Sequence, residues 1–471
     1  MEVSATASRP SGAGKRRPAG GDGMRRSFEP PDAPLPGFRR WYLPTDARFA
    51  IAAVLAVAWT ALAFGLSMPE VAAFAHAIGD VPAVLIVALV AFVPGYLVAF
   101  HAGGLLLDRP PPLVDLHPTT PVTVLLAARN EERTIGETLD YLAAQDYDGE
   151  LTIVLIDNGS TDETVITALK AIGRNGAQLI VLREPRAGKS YALNRGLAAV
   201  RTPIVVTVDA DTLLQKSAIR LLVARLESGP HDVSAVAGHL MVRNGREGIW
   251  ARLQVWDYLL SIAAIKRVQA QFQGTLVAQG AFSGYRTNAL RRAGGWPAAI
   301  GEDIVLTWRL LLGGRVQHEP LAIGFTGVPT KLRQLSRQRS RWARGMVEGL
   351  SAVPPWSQYR WPIRFLAGVD ILVPLLDLAY AAAWLPAVLL AGAGRFWILG
   401  PMVIAVIPPN VVLYALLYRR QRRRVFEPLG LHPRRDRTSL LLFLAVYQPV
   451  LSALSVRGYV HHVLRREPVW K

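Results

Sequence analysis

The 471-residue chain contains no cysteine. Disulfides, thiolate nucleophiles and cysteine-ligated zinc are therefore excluded. Acidic residues are scarce: 35 Asp and Glu stand against 53 Lys and Arg, a formal net charge of +18. The first 46 residues have little apolar content and are rich in Gly, Pro, Ser and Arg. Such a stretch cannot bury enough surface to offset the entropy of ordering, so a basic, unstructured tail is expected over 1–46. It has no apolar run near its start, which argues against a signal peptide. No internal repeat, zinc-finger spacing or helix-turn-helix pattern occurs. The basic residues also gather beside apolar segments, which argues against nucleic acid as the partner of all this charge.

What the chain has in excess is apolar length. It is 51% hydrophobic and 19% charged, with a mean hydropathy of +0.24. Within 47–107, "FAIAAVLAVAWTALAFGLS" (49–67) and "VPAVLIVALVAFVPGYLVAFHAGGLLL" (81–107) approach or exceed the roughly 20 residues that cross a bilayer. A buried hairpin is the bland alternative, and the length of both uncharged runs weighs against it. The loop between them has Glu70 and Asp80 but no Lys or Arg, whereas the preceding tail is basic. The positive-inside rule then puts the tail and everything just after Leu107 on the cytoplasmic side.

More oily segments lie in the last part, 363–471: 363–392, 396–418 and a shorter one at 440–456 that contains Gln448 and Pro449. A strongly basic loop, 419–437, separates the last two. Parity puts the final tail outside, while Arg457, Arg465, Arg466 and Lys471 favour inside. A tilted or re-entrant last segment would reconcile the two.

Between these regions the texture changes. After a Pro-rich linker (108–121), residues 122–330 alternate strand-length apolar runs with helical patterns. The strands are expected at 122–128, 151–156, 178–182 and 204–208. The alternation predicts an α/β domain with a mostly parallel sheet and crossover helices.

Three acidic sites stand out. Asp157 follows the second strand, and Asp209 and Asp211 follow the fourth, so both lie at carboxyl ends, where open α/β sheets bind ligands. A D-x-D pair there can hold a hard divalent cation through carboxylate oxygens, magnesium in particular keeping waters and substrate phosphates as its other ligands. The bland alternative is that these residues cap turns or helices. Glu302 and Asp303 begin a helical run, where acidic residues also complement the helix dipole. Farther on, "KLRQLSRQRSRWARGMVEGL" reads as an amphipathic helix within 331–360, just before the membrane, with Leu332, Leu335, Trp342 and Met346 roughly on one side. Its charge is compatible with an interfacial helix on anionic lipid. It also contains Gln338, Arg341 and Trp342 in the spacing Q-x-x-R-W.

Taken in order, Asp157, Asp209-Ala-Asp211, Glu302-Asp303 and Gln338-x-x-Arg341-Trp342 resemble the signature of processive, membrane-integrated family 2 glycosyltransferases. The resemblance covers roughly 120–350, with membrane segments on both sides as in that group. Within the group it is greatest to bacterial poly-β-1,6-N-acetylglucosamine synthases, through "GKSYALNRG" (188–196), "GAFSGYR" (280–286) and the layout of two segments before and three after. Hyaluronan, chitin-oligosaccharide and cellulose synthases are more distant. The chain departs from the group at Gly301, where Thr often precedes the acidic pair.

The resemblance implies a GT-A nucleotide-sugar transferase domain set between transmembrane helices, with UDP as carrier. Asp157 would contact the uridine, and Glu131 and Lys189 would line the same pocket. Asp209 and Asp211 would hold the donor and its Mg²⁺ or Mn²⁺, Asp211 being the more direct ligand. Asp303 would be the general base, Gln338 and Arg341 would face the diphosphate, and Trp342 would support the acceptor sugar. The segment 280–284 would line the acceptor path. Arg337, Arg339 and Arg344, outside the motif, are expected to face lipid headgroups.

The function so implied is inverting, processive extension of a β-linked polysaccharide from a UDP-sugar, UDP-GlcNAc first, on the cytoplasmic face of a bacterial inner membrane, with passage of the polymer outward. The expected partners are the donor, the polysaccharide acceptor, membrane lipid and a small membrane subunit. Two alternatives compete: transfer of a single sugar to a lipid, and a transporter or receptor with a degenerate sugar-nucleotide domain.

Overall fold

The computed structural model describes residues 3–5, 43–109, 111–394, 410, 414–428, 430 and 437–464. Among the described residues nine strands form one sheet: β1 (Val3–Ala5), β2 (Val122–Ala128), β3 (Leu151–Asp157), β4 (Leu179–Arg183), β5 (Ile204–Val208), β6 (Leu213–Leu214), β7 (Val233–Val242), β8 (Phe282–Arg286) and β9 (Arg315–Thr326). The order is β1-β4-β3-β2-β5-β8-β7-β9-β6. The expected strands fall on β2 to β5, and these four pair in parallel. The sheet as a whole is mixed rather than mostly parallel, because β8 runs antiparallel to both β5 and β7, and β6 antiparallel to β9. Alternation along 280–326 carried no helix-length crossover signal between every strand, so those reversals were not legible.

Successive strand side chains point to opposite faces, and β2 shows the consequence. Val122, Val124 and Leu126 enter one core with the helices Ile135–Ala143, Thr164–Asn175 and Ala218–Ser228. Leu125 enters the other, which contains Leu193 and Leu197 of the helix Lys189–Ala199. That second core does not stop at the α/β domain. It runs on through Phe272 to Phe49 and Phe100 of the first two apolar helices and to Leu366 of a later one. Phe49 packs edge-on against Phe100, Phe272, Trp361 and Phe365, at centroid distances of 4.3–5.2 Å.

Among the described residues, four helices are long and apolar enough to cross a membrane: Thr45–Pro69, Asp80–Leu106, Trp361–Trp384 and Thr438–Val463. The expected segments at 49–67, 81–107, 363–392 and 440–456 overlap them. The segment expected at 396–418 lies mostly outside the described residues. So does most of the tail, of which Val3–Ala5 pair antiparallel with β4.

The helix Leu332–Ala352 lies between the sheet domain and the apolar helices. Leu335 is buried, but Leu332 and Trp342 are exposed, and the rest of the inward face is Ser336, Ser340, Ala343, Gly345 and Gly349. Small residues there allow backbones to touch: a Cβ on Gly458 would lie 2.5 Å from the Ser340 carbonyl oxygen.

Candidate active site

The parallel strands β2, β3 and β5 deliver their carboxyl ends to one edge. Asp157 is the last residue of β3 and is buried. Its Oδ1 accepts the Ser160 N–H at 3.0 Å, so the carboxylate also holds the turn, as the capping alternative expects. Next to it, the loop after β2 carries Glu131, whose carboxylate accepts the Thr134 hydroxyl at 2.8 Å. Burial raises the Glu131 pKa, and Asp209 and Asp162 add to the effect against that hydrogen bond.

Lys189 opens its helix after Gly188, which adopts φ +143°, a conformation L side chains rarely take. The Gly188 N–H is anchored by Asn158 Oδ1 at 2.8 Å. From this start Lys189 Nζ reaches across to Asp209 and donates to its Oδ1. Burial alone would lower the Lys189 pKa, but the charges of Asp209, Glu302 and Asp303 outweigh it and raise it. Lys189 thus joins two of the acidic motifs. Gly280 makes room for it: a Cβ there would stand 2.9 Å from Nζ and 3.8 Å from the Glu302 carboxylate. The Asp209 N–H donates to the Ala281 carbonyl, tying the D-x-D turn to the same segment.

Asp211 makes no ion pair among the described residues, and the charges of Arg243 and Lys189 act on it only weakly against its burial. Burial, then Asp209 and Glu131, push its pKa up to about 6. Glu302 is pushed up to about 7 by burial first and then by Asp303. Carboxylates outnumber the ammonium that joins them, and an oxygen-ligated divalent cation is the partner this chemistry fits. Asp211, with Asp209, is where it fits, since both follow β5. Among the described residues no three His, Asp or Glu side chains converge as a complete cage. Two carboxylates with substrate oxygens completing the shell suit Mg²⁺ or Mn²⁺ better than a full protein cage would.

Glu302 and Asp303 lie in the first turn of the helix Glu302–Gly313. Glu348 locks that turn to the interface helix: its Oε2 accepts the N–H groups of Ile300 at 2.7 Å and Gly301 at 3.2 Å. Gly345 sits against Gly301, and a Cβ on Gly301 would be 2.5 Å from the Gly345 Cα. The departure at Gly301 thus has a structural counterpart, because a threonine would drive the two backbones apart.

The Q-x-x-R-W residues divide. Gln338 is half-buried, and its amide oxygen has no hydrogen-bond partner among the described residues. Arg341 is exposed, and Trp342 is 39% exposed. The Arg339 guanidinium lies 4.4 Å over the Trp342 ring. This corrects the expectation that Arg339 faces headgroups. It points inward and pairs with Asp257, which is itself buried, with the Tyr447 hydroxyl accepting at 3.5 Å. Arg337 is exposed and Arg344 half-buried.

Asp257 and the neighbouring Tyr258 start a π-helical turn at Asp257–Ile262, a distortion frequent at functional sites. Burial pushes the Tyr258 hydroxyl up to about 12, with smaller effects from Arg339, Asp257, Asp211 and Asp209. Tyr258 therefore lies within electrostatic reach of both the D-x-D turn and Arg339. Sequence reasoning missed Asp257, Tyr258, Arg339, Gly345 and Glu348. A single acidic residue inside the otherwise apolar "VWDYLLSI" was the available signal for the first.

Comparison with known proteins agrees with this geometry. Residues 123–294 match the family described as Glycosyl transferase family 2. The poly-β-1,6-N-acetyl-D-glucosamine synthase of Staphylococcus aureus (strain COL) is 34% identical over 231 residues, 49% of this chain and 55% of that protein. The enzyme of that name from Staphylococcus epidermidis is 31% identical over the same length. The chain thus spans about half the length of the curated relatives it matches, 55% in each case. A solved mannosyltransferase, PcManGT from Pyrobaculum calidifontis in complex with GDP-Man and Mn²⁺, superposes with a TM-score of 0.53 at 20% identity, covering 88% of this chain and all of that one. That likeness concerns the fold, which is GT-A. Residues 123–294 are thus similar to family 2 glycosyltransferases, and the chain is similar in sequence to poly-N-acetylglucosamine synthases over 231 residues.

Proposed function

We propose that the protein transfers a sugar, GlcNAc first among candidates, from its UDP carrier to the end of a growing β-linked polysaccharide, at the cytoplasmic face of a bacterial inner membrane. The observation that carries this reading is Lys189, whose charge is shared by the D-x-D aspartate and the Glu302-Asp303 pair. A donor diphosphate and an acceptor hydroxyl need such adjacent acidic sites, one for the leaving group and one for the proton. The orientation rests on the basic tail and the loop 419–437.

In the mechanism, Asp157 and Glu131 receive the uridine side of the donor. Asp209 and Asp211 would hold Mg²⁺ or Mn²⁺, which when bound supplies Lewis-acid charge to the leaving diphosphate. Arg341, exposed above, offers a guanidinium fork that matches phosphate oxygens, and the Gln338 amide lies one turn before it. Trp342 offers a flat face to the acceptor's terminal sugar. Asp303 accepts the proton of the acceptor hydroxyl while that oxygen bonds to the anomeric carbon. The bond from that carbon to the diphosphate oxygen breaks in the same displacement, and UDP departs with the electron pair. One base and one displacement invert the anomeric centre, so an α-linked donor gives a β-linked product. The membrane helices, continuous with the domain core, would then pass the polymer outward.

The experiment compares wild type with Asp303→Asn in lipid nanodiscs, measuring UDP binding and turnover of UDP-GlcNAc. Turnover should fall by at least about 10²-fold, the scale of lost general-base catalysis, with UDP affinity retained. Near-normal turnover in the variant overturns the base assignment.

A further inference from the structure

Asp257 is a carboxylate that the transfer step does not use. It stands in the apolar stretch "VWDYLLSI", at the first residue of the π-helical turn Asp257–Ile262, and it is buried. Its ion-pair partner is Arg339 of the interface helix, and the two side chains are 4% and 11% exposed. Tyr447 closes the group from a third element, the apolar helix Thr438–Val463. Its hydroxyl lies 3.5 Å from both Arg339 Nη2 and Asp257 Oδ2. It too sits in a π-helical turn, Phe443–Tyr447. The sheet domain, the interface helix and a membrane helix therefore meet at one buried charge pair.

A buried ion pair is a poor source of stability, because desolvating both charges offsets most of their attraction. Apolar side chains of the same volume could join these three elements as firmly. What the pair adds is direction, since a guanidinium fork and a carboxylate fix each other's orientation. The group so oriented lies over the Trp342 ring. Arg339 and Trp342 are three residues apart on one helix, hence neighbours on its surface, and the guanidinium stands 4.4 Å from the ring centroid. Trp342 is 39% exposed, so packing restrains its ring only in part. A cation over one face attracts the ring through its quadrupole and leaves the opposite face for a ligand. A free arginine side chain has too many torsions to hold a ring in this way. Asp257 removes that freedom.

The helix beneath is fixed on both sides of Arg339. Arg457 donates to the Ser336 hydroxyl at 3.3 Å, and a Cβ on Gly458 would stand 2.8 Å from the Ala343 Cβ. With the backbone held, the ion pair decides where the ring stands.

We propose that Asp257, with Tyr447 behind it, is a positioning residue for the acceptor sugar: through Arg339 it holds the Trp342 ring at the height and tilt at which its open face receives that sugar. This rests on the reading of Trp342 as the acceptor's platform, and it ties that platform to the last membrane helix. No bond or proton moves at Asp257.

The full chain in nanodiscs is assayed with UDP-GlcNAc, Mn²⁺ and a β-1,6-linked GlcNAc pentasaccharide as acceptor. Acceptor KM, kcat and UDP affinity are measured for Asp257→Asn, Tyr447→Phe, Trp342→Ala and the double variant Asp257→Asn/Trp342→Ala. Asp257→Asn should raise the acceptor KM about two- to fivefold, the scale of a lost cation–π contact, and leave kcat and UDP affinity within about twofold. Tyr447→Phe should move the same parameter by less. In the Trp342→Ala background Asp257→Asn should add nothing, because both act through one ring. If Asp257→Asn fails to fold around the unpaired Arg339, Asp257→Asn/Arg339→Gln buries no charge, takes its place in the cycle and should show the same rise. An unchanged acceptor KM, or a loss that multiplies with that of Trp342→Ala, would overturn the positioning role and leave the pair a structural fastening. An unchanged acceptor KM in Trp342→Ala itself would instead overturn the platform reading, and this proposal with it.

Discussion

Lys189 and Asp211 define opposite ends of the same charge problem. Lys189 already neutralises Asp209, whereas Asp211, pushed up to about 6, and Glu302, pushed up to about 7, are carboxyls the fold holds partly protonated. Both folded pKa values lie above those of an unfolded chain. The folded state then binds more protons than the unfolded one from about pH 4 to 7, so stability falls as pH rises through that window and levels off above it. A divalent cation should reverse this where the carboxyls are ionised. Thermal unfolding in detergent is expected to show Mn²⁺ raising the midpoint by several degrees at pH 7.5 and much less at pH 5. Asp211→Asn should remove most of the gain, and an equal gain at both pH values would contradict the assignment.

Trp342 allows a second test at this scale. One face of its ring is taken by Arg339, which Asp257 holds in place. Trp342→Ala should raise the acceptor KM by about two- to tenfold, on the scale of a lost aromatic contact of about 0.5–1.5 kcal/mol, with little change in UDP affinity. Equal loss of donor and acceptor binding would place the ring elsewhere in the mechanism.

At the scale of elements, the interface helix and the helix Glu302–Gly313 act as one unit, since Glu348 caps the second from the first and Gly345 abuts Gly301. Gly345→Leu puts a side chain where a Cβ alone would be 2.7 Å from the Gly301 Cα. The expected cost is about 1–3 kcal/mol from overpacking, with turnover falling more than tenfold while UDP affinity changes little. Retained turnover would show that the two helices need not touch.

This level also separates what was legible in the sequence from what was not. β2 and β5 carry apolar runs, each broken only by one threonine, that bury both faces, so their limits could be read directly. Asp157, Asp209 and Asp211 were legible because strand ends fix where a ligand edge must be. Arg339 was not, because helical spacing puts it among other arginines. Only its contact with Asp257, 82 residues earlier in the chain, turns it inward. Gly345 was not legible for the same reason: its partner Gly301 is brought to it by tertiary packing. Trp342 was expected to offer an open face and is exposed, because the helix is seated on glycine and serine instead.

For the whole molecule, the domain and the apolar helices share one core, and buried polar contacts fasten the seam. Arg267 pairs with Asp108, with both side chains about 5% exposed or less. Trp256 donates to the Ser439 hydroxyl at 2.8 Å, and Gln271 to the Gly104 carbonyl at 3.0 Å. A domain attached this way is not a detachable module. On the proposed reading, an acceptor held at Trp342 would stay beside the membrane helices from one addition to the next, as repeated addition to one chain requires.

Product length therefore distinguishes repeated addition from single transfer most directly. The purified full chain in nanodiscs is incubated with radiolabelled UDP-GlcNAc and Mg²⁺ or Mn²⁺, and the product is sized before and after digestion by a β-1,6-specific hexosaminidase. Metal-dependent release of UDP is expected, with a high-molecular-weight, β-linked polymer that forms while most acceptors are still unextended. A product that stops at one sugar on a lipid, or an absence of UDP release from any UDP-sugar, would contradict the proposed function.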